Sequence, residues 1–140
     1  MEPSVDSLLL ADWAEIVNGK LYLMGGGFSA IQMVAFDQTH RCALAAALRV
    51  PWEHTNRVLD FAAHLETIDG DALDCWSLQG ELEAGRAPGQ RGEDSITMLA
   101  TPVEIKVDGP VDLVLRFRFA EDLRSLRFKV LAGPPVEHEA

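Results

Sequence analysis

Cysteine is scarce in this chain. Only Cys42 and Cys75 occur among 140 residues, each inside an apolar stretch and in no C-x-x-C pair. Two buried free thiols in a reducing cytoplasm are expected, with a Cys42–Cys75 disulfide as the alternative. Positive charge is also short: 12 Lys and Arg stand against 22 Asp and Glu, a net charge of −10 and a pI near 4.7. That balance argues against nucleic acid or an anionic membrane surface as a partner. No window approaches the roughly 18 consecutive apolar residues of a membrane-spanning helix. The first residues, Met1-Glu2-Pro3-Ser4-Val5-Asp6, are acidic where a secretory leader would be basic, and a cytoplasmic location is expected.

What is present is ordinary globular material. The length suits one domain, and 48% hydrophobic with 24% charged residues can form a core without metal or disulfide staples. Charge does not divide the chain. Residues 1–70 hold 4 basic and 9 acidic side chains and residues 71–140 hold 8 and 13, so each half is −5. There is no internal repeat. Gly, Pro and charge replace any period at residues 85–94, and the tail carries Pro134-Pro135 and His138. A β-sandwich domain over residues 1–133 and a disordered tail over 134–140 are expected.

The dominant period is two. Leu59, Phe61, Ala63 and Leu65 alternate with Asp60, Ala62, His64 and Glu66; Asp69-Gly70 follows, and residues 72–83 resume an extended pattern. Val111, Leu113, Leu115, Phe117 and Phe119 read as inward, with Asp112, Arg116 and Arg118 outward. After an Ala120-Glu121-Asp122 turn, Leu126, Phe128 and Val130 point in while Arg127 and Lys129 point out. Near the start, residues 5–15 and 20–24 flank the hairpin dipeptide Asn18-Gly19. Residues 41–50 are Ala- and Leu-rich, which favours helix by propensity. They stop at Pro51, however, and Cys42, Leu44, Ala46, Leu48 and Val50 alternate, so a strand is expected there and again over 123–130. The fold class is all-β: a single antiparallel sandwich of about 7–9 strands with little or no helix.

Leu9-Leu10-Ala11-Asp12-Trp13-Ala14, Asn18-Gly19-Lys20-Leu21 and Met24-Gly25-Gly26-Gly27-Phe28 follow one another in an order that resembles the opening of a family of small uncharacterised bacterial proteins. Asp108-Gly109-Pro110 and the closing Leu126-Arg127-Phe128-Lys129-Val130 extend the resemblance from about Leu8 to Leu131. It implies a single β-sandwich, with no assigned activity and no catalytic motif to carry over.

Chemistry is hard to find. Gly25-Gly26-Gly27 lacks the Gly-Lys-Ser/Thr or G-x-G-x-x-G context of a phosphate loop and reads as a bend. His40 with Cys42, and His64 with Glu66, are ligand-like pairs that no second cluster completes, so no metal is expected. Asp69-Gly70-Asp71 reads as a turn rather than a calcium loop. There is no G-x-S-x-G elbow and no Ser or Cys in a nucleophile signature, so no catalytic residue and no cofactor are assigned.

Features suited to contact are stronger. Trp13 and Trp76 fall in strands and read as core packing. Trp52 falls in a Pro51-Trp52-Glu53-His54 loop, where partner contact and loop packing are both open. Arg116, Arg118, Arg127 and Lys129 form a basic stripe that is either a solvated sheet face or a surface for an acidic partner or neighbouring subunit. The reading is a noncatalytic interaction or accessory module whose partner is an unknown protein or a second copy. The alternative is a small-ligand-binding or hydrolytic sandwich with its site between loops at one end.

Overall fold

The computed structural model of the chain describes residues 1–86 and 91–133. The expected tail, its His138, and the centre of the 85–94 segment lie outside the described residues. Among the described residues the fold is nearly all β, with ten strands and a single 3-10 turn. In chain order the strands are β1 (Ser4–Ala11), β2 (Trp13–Val17), β3 (Lys20–Met24), β4 (Ala30–Met33), β5 (His40–Val50), β6 (Val58–Thr67), β7 (Ala72–Glu83), β8 (Ser95–Ile105), β9 (Val111–Phe119) and β10 (Asp122–Ala132). They form a three-stranded sheet β1-β5-β8, a five-stranded sheet β4-β10-β9-β6-β7 and a two-stranded ribbon β2-β3. One pairing departs from the antiparallel expectation, because β4 runs parallel to β10, with Ile31 beside Val130.

The period-two residues build the core. Leu10, Leu44, Leu48, Val103 and Ile105 of the small sheet join Phe61, Leu65, Leu115, Phe117, Phe119, Phe128 and Val130 of the large one in a single buried cluster. Phe61 explains why a glycine interrupts β7. It pairs across from Gly80, and a Cβ at Gly80 would fall on its ring. The aromatic side chain occupies the space the glycine leaves.

The Ala-rich β5 is a strand, as its alternation indicates, and is buried along both faces. Cys42, Leu44, Ala46, Leu48 and Val50 meet the core, whereas Ala43, Ala45 and Ala47 are buried on the opposite side. There β2 lies against β5 and β8. Methyl side chains let a second backbone layer approach closely, so the composition that suggests helix serves instead to seat the ribbon. The stretch read as one strand over residues 5–15 is two. Asp12 breaks it, its N–H donating to the Met24 carbonyl at 2.9 Å. Gly25, at φ +63°, turns the chain there, and a Cβ at that position would collide with the Asp12 carboxylate.

Sheet edges are guarded. The Val5 N–H at a β1 bulge donates to Asp122 Oδ2 at 2.7 Å, and Pro102 interrupts the hydrogen-bonding row of the edge strand β8.

Candidate functional site

Three surfaces have the chemistry for contact: the Trp52 turn, the outer face of the five-stranded sheet, and the ribbon. Trp52 opens the 3-10 turn Trp52–His54 and is half-buried. The Arg86 guanidinium lies 3.9 Å from the centre of its ring, which is cation–π range. The Trp52 carbonyl accepts from Thr55 Oγ1 at 2.6 Å and from Arg86 Nη2 at 3.4 Å, while Arg86 Nε donates to Thr55 Oγ1 at 2.5 Å. Thr55 is the buried polar residue at the centre of this set. The arrangement locks the loop onto the body and occupies one ring face of Trp52.

On the large sheet, Arg116 and Arg118 point outward from β9 and lean apart. Arg116 Nε donates to Glu66 Oε1 at 3.0 Å, and Glu66 Oε2 meets His64 Nε2 at 2.7 Å. Arg118 reaches Asp60 at 3.2–3.3 Å and the Ala120 carbonyl at 2.8 Å. His64, then Arg116, hold the Glu66 carboxyl below its ordinary range; Arg118 does the same for Asp60. His64 and Glu66 are thus hydrogen-bonded to each other, with Arg116 as the third member of the cluster. Where the two arginines diverge over the small Ala62, an open depression of about 460 Å³ remains, with Leu123 and Ser125 on its far side. Arg127 and Lys129 stand on β10, exposed and without an ion pair among the described residues. The stripe therefore splits into an ion-paired half on β9 and a half on β10 without ion pairs among the described residues.

The ribbon is the surface that sequence reasoning missed. Asn18 and Gly19, at φ +52° and +72°, close it in a two-residue turn, the geometry Asn-Gly favours. Its register places Trp13 beside Met24, Glu15 beside Tyr22 and Val17 beside Lys20 on one face. Ala14, Ile16, Leu21 and Leu23 share the other, and Leu23 lies near Gly26 and Leu9 on the outside of the small sheet. The face turned away from the body is open: Trp13 is 57% exposed, Tyr22 51% and Met24 68%. Trp13 is not core packing, then. Trp76 is half-buried against the core, its Nε1 donating to the Pro102 carbonyl at 3.0 Å. A signal for the ribbon was present: both strands carry apolar residues at both parities, and a two-stranded ribbon lying on a sheet can bury only one face.

Both cysteines are free thiols, Cys42 buried and Cys75 half-buried. Burial, helped by the nearby Asp12, pushes the Cys42 thiol up to about 11, so it stays protonated and unreactive at neutral pH. Among the described residues no three His, Cys, Asp or Glu side chains gather where they could hold a metal ion. No helix among them is long and apolar enough to cross a membrane.

A model of a family of unknown function, DUF6941, matches residues 6–130, and the chain belongs to that family. No curated protein matches it.

Proposed function

We propose that this family member is a noncatalytic interaction module of the bacterial cytoplasm that docks a protein partner through the outward face of its β2–β3 ribbon. One observation carries the reading: Trp13, Tyr22 and Met24 stand together, in register and more than half exposed among the described residues, on one side of a two-stranded sheet. Tryptophan and tyrosine supply large contact area and concentrate at binding hot spots, and contiguous exposed apolar surface marks such sites. The Glu15 and Lys20 rims would keep the face soluble when unoccupied. Free Cys42 and Cys75 suit a reducing compartment. The Trp52 loop contributes less to docking, since Arg86 already covers its ring.

The test is affinity capture by the tagged chain and by a Trp13→Ser/Tyr22→Ser/Met24→Ser variant of matched circular dichroism. A partner held by the wild type and depleted at least tenfold by the variant supports the reading. Identical captured sets from the two proteins reject this face as the contact surface.

A further inference from the structure

The outer face of the five-stranded sheet sorts its charge into opposite corners. Four of its strands lie side by side as β10-β9-β6-β7. Arg127 and Lys129 stand toward one end of β10, level with Val114 and Asp112. Glu81 and Glu83 stand toward the other end of β7, level with Asp60 and Val58. The charges between these corners largely cancel within the chain, Arg116 against Glu66 and Arg118 against Asp60. None of Arg127, Lys129, Glu81 and Glu83 has an ion pair among the described residues. Asp112, beside Lys129, tempers the basic corner without reversing it.

We infer that a second copy of this chain packs on this face about a twofold axis, each copy setting Arg127 and Lys129 against Glu81 and Glu83 of the other. The inference goes beyond the ribbon reading, because it uses a different face and names its own occupant, a second copy of the chain. Two unlike corners of one face are self-complementary. A twofold axis lying in the contact plane and bisecting the line between them brings each over its opposite twice. On a lattice of about 4.8 Å between strands and about 3.3 Å per residue, that axis passes through Leu123. Leu123 is 72% exposed, and on the axis it meets its own copy. The face spans on the order of 600 Å² per copy on the same lattice, so the contact would bury about 1,200 Å², the lower bound for a specific interface. A reversible dimer of modest affinity follows.

Salt separates this contact from general repulsion. Two chains of net charge −10 repel at very low ionic strength. At about 0.15 M the Debye length of about 8 Å screens the molecules from one another but spares charges in contact. At about 1 M, with a length of about 3 Å, the contact pairs weaken too. Association should therefore peak at intermediate salt.

Sedimentation of the full chain at intermediate salt tests the inference with two variants, Arg127→Glu/Lys129→Glu and Glu81→Lys/Glu83→Lys, each with unfolding midpoint checked. Each variant alone should lose at least tenfold in self-association, and their equimolar mixture should recover it as a heterodimer. Whole-molecule charge predicts the opposite for the second variant, whose two Glu→Lys changes bring the net charge to about −6 and should increase association. A wild type that stays monomeric to about 1 mM overturns the inference, as do variants that associate like the wild type or a mixture that does not recover. The ribbon variant should self-associate normally. If ribbon-dependent capture persists while charge reversal has no effect, the interaction-module reading stands and the dimer falls.

Discussion

The β2–β3 and β9–β10 hairpins both close on two-residue turns that visit the left-handed region, at Asn18 and Gly19 in one and at Ala120 in the other. Their fates differ. β9 is flanked on both sides, by β6 and β10, and its inward row of Leu113, Leu115, Phe117 and Phe119 is buried in the core. The ribbon pairs with no other strand among the described residues and lies on a layer of alanines, so most of its apolar side chains, Trp13, Ile16, Val17, Tyr22, Leu23 and Met24, remain exposed. Turn chemistry makes a hairpin; neighbours decide which side chains leave solvent. That difference separates a hairpin that carries stability from one free to carry contact.

The widest gap between the two should appear on truncation. Phe117→Ala, at a position 1% exposed, should cost about 3–5 kcal/mol in urea unfolding. Tyr22→Ala on the ribbon should stay within about 0.5 kcal/mol. Equal losses would mean that the ribbon is part of the stabilising core and would break the comparison.

A smaller effect distinguishes the turns. Ala120 sits at φ +51°, where an L-residue with a Cβ is strained by about 1–2 kcal/mol. Ala120→Gly relieves that strain but loosens the unfolded chain, so a net gain of up to about 1 kcal/mol is expected in the same assay. Asn18→Gly should gain less, because asparagine already tolerates this region. A destabilised Ala120→Gly would show that the strain is relieved elsewhere.

The smallest effect is electrostatic and confined to the β9 side. His64 and Arg116 hold the Glu66 carboxyl below its ordinary value near 4.5. A depressed folded-state value contributes stability above the unfolded value, and the contribution disappears as pH falls through the folded one. Between pH 7 and pH 3 the wild type should therefore lose slightly more stability than Glu66→Gln, whose remaining carboxylates are the same. Parallel pH profiles for the two proteins would remove the cluster from the stability account.

Most of the fold was legible in the residues, and most of the proposed contact surface was not. The inward row from Val111 to Phe119 could be read directly, because alternation reports which side of a strand faces oil. The basic stripe was legible as a row but not as a site. Arg116 and Arg118 find Glu66 and Asp60 on β6, 50 and 58 positions away in the chain, and no local pattern announces such pairing. Trp13 was misplaced because a tryptophan in a strand reads the same whether its strand is central or stands on a ribbon. The parallel β4–β10 pair was invisible for a related reason: four residues, Ala30–Met33, carry too little pattern to specify direction.

By itself, then, the sequence determined the all-β character, the hairpins at Asn18-Gly19 and Ala120-Glu121, the inward rows of β6, β9 and β10, and the bend at Gly25–Gly27. Each depends on backbone sterics and side-chain alternation within a few residues. Tertiary structure decided that the alanines of β5 would seat a second layer, that Trp13, Tyr22 and Met24 would face water, and that Arg127 and Lys129 would stand diagonally across from Glu81 and Glu83. These depend on which strands become neighbours. That is settled by burying the shared core at the expense of chain entropy over long separations, a balance no local window contains.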